Sequence, residues 1–345
     1  MLPPMRPRTI FFGSPEFAVP SLARVAADTE LVAVVTQPDR PAGRGRELVA
    51  PAVKQAAGRI APGVPVLQPE KIRTGDFEAA LRALDAALFV VVAYGRILPQ
   101  AILDLPALGP FNVHASLLPR GRGAAPIQWS IINGDEKTGV SIMRMEAGLD
   151  TGPVVARAET AISDDDTAQT LGARLSVLGA DLLGATLPSI VDGRASFQRQ
   201  DDARATLAPI LRKEDGRLSF AASARSVSAR ARGVDPWPGA MASLVVGHED
   251  LERGEAASGL RPEPPIVKLF HPRVISAGTG AAAASAPAAS PVPGTIVAID
   301  DTVGVVVACA EGAVAFAELQ LPGRKRLPAR AAAAGRAIAV GMRFE

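Results

Sequence analysis

The sequence predicts an α/β fold, in which a domain with a parallel sheet and helices on both faces is followed by a smaller β-barrel domain. Through the first part of the chain, short apolar runs alternate with segments long enough to form helices, as in parallel βαβ units. After about residue 206 the apolar runs become short and are separated by Gly and Pro, as in a small barrel. A chain of 345 residues is long enough for two domains that each bury a core.

The elements of the first domain follow from this alternation. Strands are predicted at residues 9–13, 31–36, 64–67 and 87–93, and helices at 51–59 and 75–84. Ser14-Pro15-Glu16 is typical of a helix start, with proline at the first helical position. After the N-cap pair Asp166 and Thr167, apolar residues at helical spacing predict an amphipathic helix packed on a core: Leu171, Leu175, Leu178 and Leu182.

The second domain is predicted from five short strands, at residues 240–246, 266–270, 294–299, 303–308 and 313–319. Residues 276–293 are almost wholly Ala, Ser, Gly and Pro, which predicts a flexible loop between two of these strands. A polar stretch at 199–202 interrupts the earlier pattern. We therefore place the first domain at residues 1–199, a linker at 200–211 and the second domain at 212–345.

Composition excludes several classes of protein. Apolar residues make up 48% of the chain, charged residues 21%, and the formal net charge is +2, which argues against global disorder and a general polyanion-binding role. Cys309 is the only cysteine, so no internal disulfide is possible, in keeping with a reducing cytosol. With three histidines, no cysteine pair and no His-Glu-x-x-His motif, no metal site is predicted.

The absence of targeting and nucleotide-binding motifs narrows the choice further. Residues 1–8 lack the apolar core of a signal peptide, and no apolar run approaches the roughly 18 residues of a membrane span, so we expect a cytoplasmic protein without a membrane partner. The first βα turn contains only Gly13, so Gly-x-Gly-x-x-Gly is absent, and no Gly-x-x-x-x-Gly-Lys-Ser/Thr loop occurs. Dehydrogenase and ATPase functions are therefore disfavoured.

The residues best suited to catalysis are Asn112, His114 and Asp150. Asn112 and His114 stand two apart in a short apolar run, so on a strand their side chains share one face, at the carboxyl end where ligands of α/β sheets bind. A loop rich in Gly and Pro follows at 115–128, and Asp150 lies between Gly148 and Gly152. An isolated Asn-x-His is more often a hydrogen-bonded structural pair, so the surrounding motifs decide between the two interpretations.

Those motifs resemble one family over nearly the whole chain. They are Phe-Gly-Ser-Pro-Glu-Phe at 12–17, Thr-Gln-Pro-Asp-Arg-Pro-Ala-Gly-Arg-Gly at 36–45, Val-Val-Val-Ala-Tyr-Gly at 90–95, Asn-Val-His-Ala-Ser-Leu-Leu-Pro at 112–119 and Asp-Pro-Trp-Pro-Gly-Ala at 235–240. Through them the chain resembles the methionyl-tRNA formyltransferases, which belong to the N10-formyltetrahydrofolate-dependent formyltransferases. The Asn-x-His, Ser-Leu-Leu-Pro and Leu-Asp-Thr-Gly elements resemble those of all these transferases, whereas the Arg-Pro-Ala-Gly-Arg-Gly, Ala-Ala-Pro-Ile-Gln and Pro-Trp-Pro segments resemble the branch that acts on tRNA.

The resemblance implies a Rossmann-like first domain that binds 10-formyltetrahydrofolate and an OB-like second domain that contacts tRNA. The implied reaction is formylation of initiator methionyl-tRNA, without a metal and without a required protein partner. Carried over by motif, the catalytic set is Asn112, His114 and Asp150. The folate site would include Ser116, Leu117, Leu118 and Pro119, and the tRNA-binding loop would present Arg40, Arg44 and Arg46.

Acyl transfer explains these residue types. When an amine attacks the formyl carbon an oxyanion develops, and the Asn112 amide and an imidazole N–H of His114 could both stabilise it. Asp150, bonded to the other ring nitrogen directly or through water, would orient His114 and help to remove the proton of the amine. The division of the proton transfers between His114 and Asp150 is left open by the sequence.

Some positions depart from the family pattern. Ala115 stands where Gly is common, and Gly121 where an aromatic residue often precedes Arg-Gly. Ile210 occupies the place of a frequent linker lysine, and Arg212 and Lys213 are near enough to substitute for it. For the cluster at 324–326, Arg-Lys-Arg, a structural role and a tRNA contact are equally supported.

Two other functions are compatible with parts of the sequence. A formyltransferase of the same superfamily that acts on an amino sugar nucleotide is disfavoured by the basic loop at 40–46 and by the barrel-like second domain. A non-catalytic module that binds tRNA or folate is disfavoured by the intact set of Asn112, His114 and Asp150.

Overall fold

The computed structural model describes residues 6–42, 47–245, 263–275 and 291–345. Contacts between Cα atoms divide the chain into two compact units. The first comprises Met1–Ile127, Lys137–Ile162 and Thr170–Ile210, and the second comprises Gln128–Glu136, Ser163–Gln169 and Leu211–Glu345. Residues 200–210, most of the predicted linker, are therefore part of the first unit.

The first unit contains a seven-stranded sheet in the order β5-β2-β1-β6-β7-β8-β9. Its strands are β1 (Arg8–Gly13), β2 (Glu30–Val35), β5 (Val66–Leu67), β6 (Leu88–Val92), β7 (Gly109–His114), β8 (Lys137–Arg144) and β9 (Val154–Ala161). The pairs from β5 to β7 are parallel, as predicted, but β7–β8 and β8–β9 are antiparallel. The edge strand β9 alternates in burial, which is typical of an antiparallel strand with one solvated face, whereas the central strands are buried on both faces.

Helices connect the strands of this sheet. The described α-helices up to residue 191 are α1 (Val19–Asp28), α2 (Ala52–Ile60), α3 (Gly75–Ala83), α4 (Gln100–Leu103), α5 (Pro126–Ile132) and α6 (Ala168–Val191), and a 3-10 helix at Glu16–Ala18 precedes α1. The start of α3 shows how the sequence sets a boundary, because the Thr74 hydroxyl accepts the N–H of Phe77 and caps the first turn. Phe77 and Leu81 on the inner face of this helix then join the core beside β1 and β6.

The long helix α6 differs from its prediction in the face that it buries. Leu171 and Leu175 are fully buried, but Leu178 and Leu182 are only half-buried, and Leu183 and Leu187 complete the buried face instead. The repeat of four, three and four matches the helical period and keeps the predicted leucines on one face, so the change of buried face along this long helix depends on the elements that pack on it and not on the local pattern. By length and composition alone α6 is also apolar enough to cross a membrane, but core helices of soluble proteins meet the same criterion, and half of its most apolar window is buried within the structure.

The second unit contains an antiparallel sheet in the order β12-β13-β14-β11-β10-β16, with β15 paired to β14. Its strands are β10 (Met241–Val245), β11 (Ile266–Ile275), β12 (Ile296–Asp300), β13 (Gly304–Ala308), β14 (Ala313–Gln320), β15 (Leu327–Pro328) and β16 (Arg343–Phe344), and its helices are α7 (Ala224–Gly233) and α8 (Ala329–Ala334). An antiparallel bridge between Thr295 and Arg343 joins the last strand to the start of β12 and closes the sheet into a barrel. The predicted fold class is thus confirmed, with the antiparallel edge of the first sheet as a correction. Of the loop predicted at 276–293, residues 276–290 lie outside the described residues.

Candidate active site

Strand β7 brings Asn112 and His114 to its carboxyl end. The strand is short and apolar, and its register pairs Asn112 with Met143 and His114 with Ser141 on β8. The two side chains share one face because they stand two residues apart. His114 is buried and Asn112 is half-buried. Within the described part of the chain, the Asn112 side chain makes no hydrogen bond, so its amide is available to a ligand.

The ring of His114 is held by the backbone of the loop that follows. Its Nε2 lies 2.9 Å from the carbonyl oxygen of Gly121. A carbonyl can only accept a hydrogen bond, so Nε2 carries a proton and Nδ1 is the remaining ring nitrogen. This Nδ1 lies 3.8 Å from Oδ1 of Asp150, which is longer than a direct hydrogen bond. Of the two predicted arrangements, the direct bond between His114 and Asp150 is therefore not made, and Nδ1 is the ring nitrogen left for chemistry.

Asp150 is fixed by its backbone and by the same loop. It adopts a left-handed conformation, with φ at 53°, on the turn between Gly148 and Gly152. Its Oδ2 accepts the N–H of Gly123 at 2.8 Å. Residues 121–123 therefore hold both partners, through the Gly121 carbonyl on His114 and the Gly123 N–H on Asp150. The structure thus brings the three predicted catalytic residues together.

The segment at residues 198–208, here called the strap, runs beside this loop and contains a 3-10 helix at Asp202–Arg204 between isolated β-bridges at Gln198 and Leu207. The N–H of Arg122 donates to the Thr206 carbonyl, and the N–H of Ala208 donates to the Arg122 carbonyl. The hydroxyl of Thr206 accepts the N–H of Gly121 at 2.9 Å. Sequence reasoning missed this contact because it assigned the same residues to a polar linker.

The close approach of strap and loop leads to a first prediction, for Gly123→Ala. Gly123 has a φ of 128°, and a Cβ at this position would lie 2.5 Å from the Ala208 carbonyl oxygen. We expect kcat to fall by about tenfold to a hundredfold, because the Gly123 N–H that holds Asp150 must move. Gly63→Ala is the matched control, since φ is 90° there and nothing lies within 4 Å. Steady-state kinetics with thermal unfolding of both variants test this, and a wild-type kcat in Gly123→Ala would contradict it.

The predicted folate residues form a tight turn next to His114. The Ser116 hydroxyl donates to the Arg120 carbonyl, and the Leu118 side chain packs in a small core cluster with Met143 and Val154. Leu117 and Pro119 are half-buried, so their side chains remain partly accessible, and the peptide bond between Leu118 and Pro119 is cis. The role of these four residues in folate binding stays a prediction.

Two side chains that the sequence did not single out hold this turn. The Ser141 hydroxyl accepts the N–H of Leu118 at 3.1 Å and donates to the Ser116 carbonyl at 2.7 Å. The guanidinium of Arg157 donates to the Leu118 carbonyl at 2.9 Å, and burial lowers the pKa of this group. Ser141 lies on β8 and Arg157 on β9, so only the pairing of β7 with β8 and of β8 with β9 brings them to this turn.

The predicted tRNA-binding loop forms a hairpin of β3 (Arg40–Ala42) and β4 (Glu47–Val49). Arg40 is exposed and donates to the Gln37 side chain at 3.2 Å, whereas Arg44 and Arg46 lie outside the described residues. Asp39 anchors the base of the hairpin, where hydrogen bonds from Gln68 and Lys54 hold the pKa of its carboxyl below the ordinary value.

The other basic candidates lie in the second unit or at its border. Arg212 and Lys213 are exposed, and Ile210 is 70% exposed. Arg326 is engaged within the barrel, because it pairs with Glu318 and its guanidinium lies 3.9 Å from the centre of the Phe270 ring. A structural role is therefore supported for Arg326. Among the described residues, no group of three or more His, Cys, Asp or Glu side chains could hold a metal ion.

Comparison with known proteins identifies the family. Family models described as "Formyl transferase" and "Formyl transferase, C-terminal domain" match residues 8–187 and 210–337. The methionyl-tRNA formyltransferase of Solibacter usitatus (strain Ellin6076) is 45% identical over 93% of this chain and 93% of its own length. The chain belongs to the methionyl-tRNA formyltransferase family. The family that the motifs predict is thereby confirmed.

Solved structures of lower identity share the fold of this formyltransferase. HypX from Aquifex aeolicus in complex with tetrahydrofolic acid matches with a TM-score of 0.58 at 15% identity, over 95% of this chain and 47% of the other. WlaRD, a sugar 3N-formyl transferase crystallised in the presence of dTDP and 5-N-formyl-THF, matches with a TM-score of 0.60 at 13% identity, over 93% of this chain and 99% of the other. At these identities the likeness concerns the fold alone.

Proposed function

We propose that this enzyme transfers the formyl group of 10-formyltetrahydrofolate to the α-amino group of initiator methionyl-tRNA, producing N-formylmethionyl-tRNA and tetrahydrofolate for translation initiation. The observation that carries the proposal is the grouping of Asn112, His114 and Asp150, with the last two held by one loop. The 45% identity to a named methionyl-tRNA formyltransferase supports the acceptor.

Asn112 supplies a donor to the developing oxyanion. The acceptor nitrogen forms a bond to the formyl carbon, and negative charge then builds on the formyl oxygen until the bond to N10 of the folate breaks. A fixed N–H donor aimed at that oxygen stabilises the transition state more than the substrate. The Asn112 amide suits this role because no other described residue engages it.

His114 Nδ1 takes up the proton that the attacking amine loses. Its Nε2 proton is held by the Gly121 carbonyl, so only Nδ1 can exchange a proton with the reactants. The Asp150 carboxylate at 3.8 Å would stabilise the resulting imidazolium, and the proton would return to N10 as the folate leaves. An α-amino group has a pKa of about 7.7 to 8.0, which an ester neighbour lowers, so much of the acceptor is neutral at pH 7 and can attack without activation by a metal ion.

The loop from Ser116 to Pro119 is proposed to contact the folate. Because the Ser116 hydroxyl and the Leu118 side chain are engaged in the protein, Leu117, Pro119 and the loop backbone would supply most of the contacts. One neighbour of the same fold is in complex with tetrahydrofolic acid, and another was crystallised in the presence of 5-N-formyl-THF, which supports a reduced folate as cosubstrate.

One assay tests the reaction directly. Purified enzyme is given 10-formyltetrahydrofolate and charged initiator tRNA, and N-formylmethionine is measured after the ester is hydrolysed. Formylation of methionyl-tRNA, without product from an amino sugar nucleotide offered in parallel, is the expected result. Formylation of the sugar nucleotide alone would favour the other branch of the superfamily. We also place the reaction in the cytoplasm, where charged initiator tRNA is used.

A second prediction concerns the hairpin of β3 and β4, which we propose to contact the acceptor end of the tRNA. Arg44→Ala should raise KM for methionyl-tRNA or lower kcat on it, with folate affinity little changed, because only the tRNA loses a contact. If Arg44 contacts a phosphate, the slope of log affinity against log salt should become shallower by about one.

The matched control removes the same charge elsewhere. Arg59 is exposed at the end of α2, and Arg59→Ala should leave tRNA kinetics and the salt slope at wild-type values. Lost activity with an unchanged slope would indicate that Arg44 contacts a base. Wild-type kinetics and salt dependence in Arg44→Ala would contradict the proposed contact.

A further inference from the structure

The turn that carries Asp150 is strained and needs support. A left-handed φ is uncommon outside glycine and costs free energy, so it persists only where the surroundings enforce it. Its conformation decides where the carboxylate lies relative to His114 and Gly123. The Gly123 bond holds the side chain, but the backbone carbonyls of Asp150 and Gly152 require partners of their own.

Gln200 on the strap supplies both partners. Its Nε2 donates to the Asp150 carbonyl at 2.7 Å and to the Gly152 carbonyl at 2.7 Å. The two protons of one amide therefore span the turn that presents the carboxylate. No other described side chain is found to donate to these two carbonyls.

Arg122 fixes the orientation of that amide. Its Nε and Nη2 donate to Oε1 of Gln200 at 3.1 and 3.0 Å, and Nη2 also donates to Asp202 at 2.6 Å. A guanidinium can only donate, so the amide oxygen must face Arg122 and the amide nitrogen must face the two carbonyls. Arg122 is 7% exposed, which keeps water from competing for these bonds.

We propose that Gln200 is a positioning residue that sets the place of the Asp150 carboxylate, and that Arg122 keeps its amide in the required orientation. Gln200 touches no reacting atom and acts through Asp150. The role in turnover rests on the function proposed above, whereas the role in holding the turn does not.

The test is Gln200→Glu, which keeps the size of the side chain. The glutamate retains an oxygen for Arg122 but loses both donors, and its second oxygen would face the carbonyls of Asp150 and Gly152. We expect kcat to fall by about tenfold to a hundredfold, with KM for both substrates within about twofold and the melting temperature little changed. Gln100→Glu is the matched control, since Gln100 is exposed and bonds only to Asp104 among the described residues.

Two further measurements separate positioning from a general structural role. In an Asp150→Asn background, adding Gln200→Glu should lower kcat by less than about twofold, because both changes act on one group. Amide hydrogen exchange over residues 148–152 should be faster in Gln200→Glu than in wild type, and this readout requires no substrate. Kinetic effects that simply multiply, a wild-type kcat, or unchanged exchange in the turn would each overturn the proposal. With methionyl-tRNA formylation retained by the wild type, none of these outcomes bears on the proposed function.

Discussion

His114→Ala should lower kcat by about two to three orders of magnitude, with folate affinity within about twofold of wild type. The variant removes the ring nitrogen that we assign to proton uptake and the group on which the negative charge of Asp150 acts. Asn112→Ala should have an effect of similar size, because it removes a donor that strengthens only in the transition state. Folate affinity should survive, because the turn at 116–119 is held by Ser141 and Arg157.

The measurement is kcat at saturating concentrations of both substrates, with folate binding determined separately. His271→Ala serves as the control, because His271 lies on the barrel with a side chain that is 61% exposed. Near-normal turnover in either His114→Ala or Asn112→Ala would refute the corresponding assignment. Equal losses of kcat and of folate affinity would instead place the residue in cosubstrate binding.

Asp150→Asn should lower kcat by about two orders of magnitude at neutral pH, because it removes the charge that stabilises the His114 imidazolium. The change conserves shape, and the amide oxygen of asparagine can still accept the N–H of Gly123. A loss of activity would therefore report the charge of the carboxylate and not the collapse of the turn.

The control for this variant is Asp104→Asn, an exposed carboxylate whose described partner is Gln100. Thermal unfolding of Asp150→Asn should match wild type within a few degrees, since the hydrogen bond to Gly123 persists. A kcat within about threefold of wild type would show that His114 does not depend on this charge.

The parts of the fold that sequence predicts are those with strong local patterns. The buried strands β1 and β6 are continuous apolar runs, and Asn112 and His114 share a face by strand geometry alone. By contrast, β16 is only Arg343–Phe344, too short for any pattern, although it closes the barrel through a pairing with residues about fifty positions earlier. The antiparallel edge of the first sheet also depends on pairing that no local pattern encodes.

The same distinction applies to the site. Motifs predict Asn112, His114 and Asp150, and the structure brings all three together. The tautomer of His114 could not be predicted, because it depends on the direction of the Gly121 carbonyl. The link from Gln200 to Asp150 joins residues that lie 50 positions apart, and a polar stretch gives no sign of such a partner.

Because of the strap, the catalytic domain extends beyond the boundary that composition predicts near residue 199. Residues 200–208 directly precede Leu211–Glu345, the main segment of the second unit, yet their hydrogen bonds complete the loop that holds His114 and Asp150. Exchange of domains between members of this family would separate these hydrogen-bonded partners if the chains were joined at the predicted domain boundary near residue 199. A crossover after Ile210, about ten residues beyond the boundary that composition marks, keeps those partners together.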